Sequence, residues 1–174
     1  MELRQLIQRV RPGVGVEDSA RLSRELSRLD PWSYWIVQAS AEDVGDFIVV
    51  GTTGAYLVAG CDHEGYLTGE GTRLSVSGQP VNGLSDVRRS ARRIRGRLAS
   101  AAVFSEVVSM ICLTRAVAGA PRTIRGVEVL KIEDLVRGIT DREKVLLPNR
   151  AQRGARSLGM VLPREQRAEH DDPE

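Results

Sequence analysis

The chain has 174 residues, of which 41% are hydrophobic and 28% are charged, a composition typical of one globular domain with a core of its own. The net charge is +2, from 25 basic and 23 acidic residues, which excludes a histone-like polycation and leaves any affinity for nucleic acid to local clusters of charge. Aromatic residues make up only 4%, which argues against an aromatic-rich nucleic-acid platform or a carbohydrate-binding module.

Cysteine use and hydropathy indicate a protein of the cytoplasm. Cys61 and Cys112 are the two cysteines, too few for a disulfide framework or a four-cysteine zinc site. The N-terminal sequence lacks the apolar region of a signal peptide, and the most apolar stretch, residues 47–60, is too short to cross a bilayer as a helix. We therefore predict a cytoplasmic location, reduced thiols, no membrane partner and no bound metal or cofactor.

Two helices and an aromatic strand are predicted at the start of the chain. Residues 1–14 are expected to form a short helix and turn, with apolar residues at helical spacing: Leu3, Leu6, Ile7 and Val10. A second helix is predicted from about Asp18 to Asp30-Pro31. The following segment, 32–39, is predicted as a strand. Its three aromatic residues would either stack on bases or pack helices onto a sheet: Trp32, Tyr34 and Trp35.

A β-hairpin is predicted in the next part of the chain. Residues 47–50 and 55–58 are rich in strand-forming residues and are joined by Gly51-Thr52-Thr53-Gly54. Consecutive apolar positions in both runs predict burial on both faces of the sheet. A weaker strand pair is predicted around residues 66–67 and 74–76, followed by a loop.

The clearest predicted element is an amphipathic helix from about Ser85 to Ser100. Its apolar residues recur at spacings of three and four: Leu84, Val87, Ala91, Ile94 and Leu98. The rest of its surface carries six arginines against one acid, Asp86: Arg88, Arg89, Arg92, Arg93, Arg95 and Arg97. Such a cluster can contact phosphates or form a solvated face. We take Arg88, Arg89, Arg92, Arg93 and Arg95 as candidate nucleic-acid-binding residues, which Arg122 and Arg125 could extend.

The last third of the chain completes the predicted α/β architecture. Strands are expected at 107–113 and 126–130 and a short helix at 133–139. We place one α/β domain at residues 15–148. Residues 149–174 are assigned to a basic segment, which could form a last helix, and to a disordered tail with five acids between Arg164 and Glu174.

The string Asp46 to Val58 resembles the nuclease-related (NERD) domain of the restriction-endonuclease-like fold. That family shows an apolar strand that begins with an acid, a Gly-x-x-Gly turn, and a second apolar strand. An acid, one residue and a lysine follow the second strand. The resemblance covers roughly residues 15–139 and implies a mixed sheet flanked by helices. It also implies a Mg²⁺-dependent phosphodiesterase site, in which carboxylates hold the metal and the lysine stabilises developing charge.

Most of the chemical positions implied by this resemblance are altered. Asp46 matches the first acid, whereas Ala59 and Cys61 stand at the positions of the second acid and the lysine. The family's first-helix glutamate falls near Ser19, next to Glu17 and Asp18, and its glutamine in the Arg-rich helix falls near Asp86. An alanine offers Mg²⁺ no oxygen ligand, and a thiol is a ligand that Mg²⁺ does not favour.

We therefore predict a catalytically inactive nuclease-like domain that acts as a binding or scaffold module. One alternative is a Mg²⁺-dependent nuclease with an unusual or partner-completed site, in which Asp46 acts with Glu17, Asp18 or Asp62. A second alternative is a protein-interaction subunit whose Arg-rich helix meets an acidic partner. The sequence Cys61-Asp62-His63 is interpreted as a structural turn, with a metal site as the alternative.

Overall fold

The structure is a computed structural model that describes residues 15–70, 73–119 and 121–159. Within these ranges, in chain order, the chain forms α1 (Val16–Leu26), β1 (Tyr34–Gln38), β2 (Phe47–Gly51), β3 (Gly54–Glu70), β4 (Arg73–Val76), β5 (Gln79–Pro80), α2 (Leu84–Ser100), β6 (Val107–Ala118), β7 (Arg122–Ile124), β8 (Val127–Lys131), a 3-10 turn (Ile132–Asp134), α3 (Leu135–Thr140) and α4 (Pro148–Ser157).

The eight strands of the described chain form one mixed sheet with the order β1-β2-β3-β6-β8-β7. β1, β2 and β3 pair with one another antiparallel, β6 runs parallel to both β3 and β8, and β7 closes the far edge antiparallel to β8. β4 and β5 continue as an antiparallel extension from the long strand β3. The prediction of a single α/β domain with a mixed sheet flanked by helices is confirmed.

The predicted hairpin is β2 and β3, joined by Thr52 and Thr53. Both connecting positions next to this turn require glycine. A Cβ on Gly51 would lie 2.1 Å from the ring of Tyr34, and Gly54 has φ of +130°, which side chains other than hydrogen rarely allow. The turn fixes the register of the hairpin, and with it the residues of β3 that lie beside the start of β2.

Helices cover both faces of the sheet, as the apolar runs of the hairpin predicted. On one face α2 and α4 pack on alternate strand residues: Ile48, Val50, Ala55 and Leu57. On the other face α1 and α3 pack on the residues between them: Val49, Tyr56 and Val58. Strands that are buried on both faces cannot alternate apolar and polar residues, which explains their continuous hydrophobicity.

The basic segment from residue 149 forms most of α4, and this helix packs on the same core. Ala151, Gly154 and Ala155 are buried, and a Cβ on Gly154 would lie 3.0 Å from a methyl group of Leu98. Small residues thus let α4 approach α2 and the sheet closely, so residues 149–159 are continuous with the unit that we placed at 15–148. The predicted helix in residues 1–14 and the predicted tail beyond 160 lie outside the described residues.

None of the helices within the described ranges is long and apolar enough to span a bilayer.

Candidate functional site

The acid at the start of β2 is bound to the neighbouring strand. The backbone N–H of Asp46 donates to the carbonyl of Val58 at 2.8 Å. Its carboxylate Oδ2 accepts the backbone N–H of Gly60 at 2.7 Å. The hairpin therefore brings Asp46 beside residues 58–60, where the family resemblance implies a second acid. An ionised carboxylate is a strong acceptor for a backbone amide, so Asp46 stabilises the end of the hairpin.

Ala59 and Cys61, which stand on β3 where the resemblance implies an acid and a lysine, supply neither a carboxylate nor a cation. Ala59 is buried and belongs to the core beneath α2. Cys61 is partly buried against the same cluster, and this burial raises the pKa of its thiol above the ordinary value. A protonated thiol is a weak nucleophile and a weak metal ligand. The three matched positions, Asp46, Ala59 and Cys61, thus supply one carboxylate and no lysine.

A second carboxylate, that of Asp18 on α1, forms an ion pair with Arg115 on β6. Arg115 donates to it from Nε at 3.0 Å and from Nη2 at 3.1 Å, and the hydroxyl of Thr114 donates at 2.9 Å. Asp18 is 1% exposed. It packs on the α1 side of the sheet, whereas Ala59 faces α2. Within the described ranges, neither Asp18 nor Asp46 belongs to a group of three or more His, Cys, Asp or Glu side chains that could hold a metal ion.

The segment Cys61-Asp62-His63 lies within β3, and the interpretation as a turn is wrong. The strand continues because β6 pairs with it in parallel past this point, through a bulge between Cys61 and Glu64. His63 Nε2 lies 3.1 Å from the carbonyl of Pro80. Across residues 15–70, 73–119 and 121–159, no three His, Cys, Asp or Glu side chains come together in a group that could hold a metal ion.

The arginines of α2 divide into two flanks, and one flank has an intramolecular partner. Arg93 and Arg97 lie 3.4 and 3.5 Å from the two carboxylate oxygens of Asp43. The Asp43 side chain is only 3% exposed and also accepts the hydroxyl of Ser40 at 2.8 Å. Arg97 further donates to the carbonyl of Leu158 at 3.4 Å. Arg93 and Arg97 thus hold the loop before β2 and the end of α4 against α2.

The other flank of α2 carries three arginines, which we call the basic flank: the half-buried Arg88 and the exposed Arg92 and Arg95. Among the described residues, Arg88 and Arg92 have neither an ion pair nor a side-chain hydrogen bond. Arg95 lies 3.0 Å from Glu106, with both side chains more than half exposed. An exposed pair of this kind contributes about 0–1 kcal/mol, so a phosphate can replace Glu106 at little cost.

The basic flank extends to the turn between β7 and β8. A Cβ on Gly126 would lie 3.8 Å from Nε of Arg88, so the first arginine of the flank lies against this turn. Exposed Arg125, in the same turn, lines an open groove of about 790 Å³ between β4, β5 and the start of α2. Arg122 donates to the carbonyl of Gly69 at 3.2 Å. Of the two arginines that could extend the cluster, Arg125 is the one beside the groove.

The remaining candidate, Arg89, lies between the two flanks. Its guanidinium is 3.4 Å from Asp86, and its side chain is 70% exposed. The helix geometry points it outward, about 60° around the helix from Arg92. Of the five candidate residues, Arg93 is therefore the one paired with the buried Asp43. Arg89, Arg92 and Arg95 are exposed, and Arg88 is half-buried beside Gly126.

The three aromatic residues near β1 have separate environments. Tyr34 is buried, and its hydroxyl lies 3.2 Å from Oγ1 of Thr53. Trp35 packs partly buried on the core beneath α2. Trp32 is 71% exposed. Two of the three aromatics thus pack in the core, and one ring is accessible for stacking.

No protein-family model, no curated protein and no solved structure matches this chain.

Proposed function

We propose that this chain is a nuclease-like domain without catalytic activity that binds duplex nucleic acid, without sequence preference, through the basic flank of α2. Arg88, Arg92 and Arg95 would contact phosphates of one backbone, and Arg125 would contact the same strand further along. Phosphate contacts fix a protein on a duplex without reading its sequence. The dissociation constant expected for such binding is about 10⁻⁴–10⁻⁶ M at physiological salt.

The order of elements supports the comparison with the nuclease-related family. The family resemblance implies a helix, a hairpin that begins with an acid, an Arg-rich helix and further strands, and α1, β2–β3, α2, β6 and β8 follow in that order. The position of Asp46 beside residues 58–60 supports it independently. The restriction-endonuclease-like assignment is part of this proposal.

The observation that supports the binding proposal is that some arginines of α2 have an ion-pair partner within the described chain and others do not. Arg93 and Arg97 neutralise a buried carboxylate, whereas Arg88 and Arg92 have no ion-pair partner in the described part of the chain. Arginines without an internal ion pair retain their full charge for an external anion, and Arg92 is also exposed. The guanidinium group suits phosphate because its planar fork donates two parallel hydrogen bonds.

The chemistry at the hairpin end supports binding without cleavage. Phosphodiester hydrolysis in this fold needs carboxylates around Mg²⁺ and a cation near the scissile phosphate. Asp46 is bound to Gly60, Ala59 has no ligand atom, and Cys61 has no charge at neutral pH because its pKa is raised. Asp18 is already paired with Arg115. The residues present therefore do not fit the magnesium site of an active member.

The proposal is tested by fluorescence anisotropy with a labelled DNA duplex at about 50 mM salt, where phosphate contacts are strong. The variant Arg88→Gln/Arg92→Gln/Arg95→Gln should lose binding while keeping its circular dichroism spectrum. The matched control removes the same charge from the opposite face of the sheet: Arg24→Gln/Arg28→Gln/Arg137→Gln.

The control should bind within about twofold of the wild type, since non-specific affinity falls mainly with lost phosphate contacts. Equal losses in both variants would mean that net charge rather than the basic flank determines binding. If the wild type itself does not bind, the nucleic-acid proposal fails, and an acidic protein partner for the same flank becomes the better account.

A further inference from the structure

We infer that the acidic C-terminal segment of this chain, residues 160–174, binds the basic flank of α2 and competes there with nucleic acid. The competition rests on the proposed function, whereas the contact between the two parts of the chain does not.

The described chain ends next to the C-terminal half of α2. Leu158 is buried, and its carbonyl accepts a hydrogen bond from Arg97 at 3.4 Å. Gly154, one turn earlier in α4, lies against Leu98. Gly159 follows with φ of +102°, the conformation with which a glycine commonly ends a helix and redirects the chain. The described chain therefore ends beside the helix that carries the basic flank.

The segment is long enough to reach every arginine of the flank. From Arg97 to Arg88 the helix axis rises about 13.5 Å, and the helix with its side chains is about 10–12 Å across. An extended chain covers about 3.3–3.6 Å per residue, so residues 160–174 can span about 50 Å. Neither flank of α2 is out of reach.

The charges of the two parts are complementary. Between Arg164 and Glu174 the segment has two arginines and five acids: Glu165, Glu169, Asp171, Asp172 and Glu174. Because the segment is covalently attached, its effective concentration at the flank is about millimolar, as for modules joined by short linkers. Contacts with a dissociation constant near a millimolar are then substantially populated, and they must be broken before phosphates bind.

The contact itself is measured in the full-length chain by paramagnetic relaxation. A spin label on Ala168→Cys, in a Cys61→Ser background, should broaden the amide signals of residues 88–95 at low salt. The signals of residues 21–28, on α1 at the opposite face, serve as the internal control and should be unaffected. Raising the salt to about 0.5 M should remove the broadening, because the Debye length then falls well below 10 Å. Equal or absent broadening on the two helices at low salt would overturn the inference.

The competition is measured by anisotropy with the same duplex, in two full-length variants that lose equal charge. The first neutralises the segment: Glu165→Gln/Glu169→Gln/Asp171→Asn/Asp172→Asn. The second neutralises exposed acids elsewhere: Glu17→Gln/Glu133→Gln/Asp141→Asn/Glu143→Gln. We expect the first to bind about 3- to 10-fold tighter than the second, as displacement of a tethered competitor predicts.

Equal affinities in these two variants would overturn the competition. If the label broadens α2 but no variant binds duplex, the contact stands and the proposed function fails. If duplex binds and α2 is not broadened, the proposed function stands and this inference fails.

Discussion

Arg115 donates two hydrogen bonds to the buried carboxylate of Asp18, from Nε to Oδ1 at 3.0 Å and from Nη2 to Oδ2 at 3.1 Å. The two residues join the first turn of α1 to the distal half of β6. A planar fork on a carboxylate fixes both distance and orientation. The pair therefore determines how α1 lies on the sheet. It also occupies the carboxylate of Asp18, which stands next to the position where the NERD resemblance implies a metal-binding glutamate.

The stability of the fold should depend on pH through Asp18. Burial alone would raise the pKa of this carboxyl, but the hydrogen bonds from Arg115 and Thr114 outweigh it, and the pKa lies below its ordinary value of 3.8. A carboxyl with a lowered folded pKa stabilises the fold above its unfolded pKa, and this contribution is lost as the pH falls through the folded pKa.

Asp18→Asn should therefore cost about 1–3 kcal/mol at neutral pH. The difference from wild type should stay constant above about pH 5 and shrink below about pH 4. Urea unfolding at a series of pH values measures it, with exposed Glu17→Gln as the control, which should change little. A difference that stays the same down to about pH 2 would contradict the role of the ionised pair.

Asp43 should be as important to stability as a core residue, although it lies in a loop. Its side chain is 3% exposed and lies within 3.5 Å of both Arg93 and Arg97. Asp43→Ala leaves two arginines without their acceptor and should lower the free energy of unfolding by about 1–3 kcal/mol. The control Glu106→Ala breaks the exposed pair with Arg95 and should cost less than about 1 kcal/mol. Equal losses in chemical denaturation would refute the distinction between the two flanks.

Two glycines should respond in opposite directions to replacement by alanine. A Cβ on Gly96, in the middle of α2, meets nothing within 4 Å, so Gly96→Ala should stabilise the protein by about 0.5–1 kcal/mol through the lower entropy of the unfolded chain. A Cβ on Gly51 would lie 2.1 Å from Tyr34, so Gly51→Ala should destabilise it by about 1–3 kcal/mol. Thermal melts of both variants measure this, and a destabilised Gly96→Ala would show that the outward face of α2 is covered.

The purified protein should not cleave DNA or RNA with Mg²⁺ or Mn²⁺. The three positions that match the family's motif, Asp46, Ala59 and Cys61, supply one carboxylate, which accepts the amide of Gly60 at 2.7 Å, and no lysine. Asp46→Ala should therefore lower stability by about 1–3 kcal/mol, the cost of an amide left without its acceptor, and leave nuclease activity at the background of the assay. Metal-dependent cleavage that survives purification and disappears in Asp46→Ala would favour the active-nuclease alternative.

Local patterns predicted α2 and the hairpin well because their determinants are close in sequence. The apolar spacing of α2 predicted residues 85–100, and the helix is Leu84–Ser100. The turn at Thr52-Thr53 fixed the hairpin register, and with it the place of Asp46. The full length of β3 was missed because residues 62–65 are charged, histidine or glycine, and the strand depends there on its pairing with β6.

The ion pairs of Asp43 with the arginines of α2, and of Asp18 with Arg115, could not be predicted in the same way. Asp43 is 50 residues from Arg93, and Asp18 is 97 residues from Arg115. Nothing in the local sequence identifies such partners. The one available signal was the interruption of an apolar strand by Thr114 and Arg115, since an arginine inside a half-buried strand requires a partner.

The salt dependence of duplex binding shows directly whether the basic flank of α2 contacts phosphates, because its slope counts the phosphate contacts. The slope of log K against log salt should be about −0.9 for each contact on duplex DNA. We expect the variant Arg88→Gln/Arg92→Gln/Arg95→Gln to have a slope smaller in magnitude than that of wild type by about 2.7, or to show no binding at all. An unchanged slope and affinity would contradict the account, because the basic flank of α2 would then make no contact with the nucleic acid.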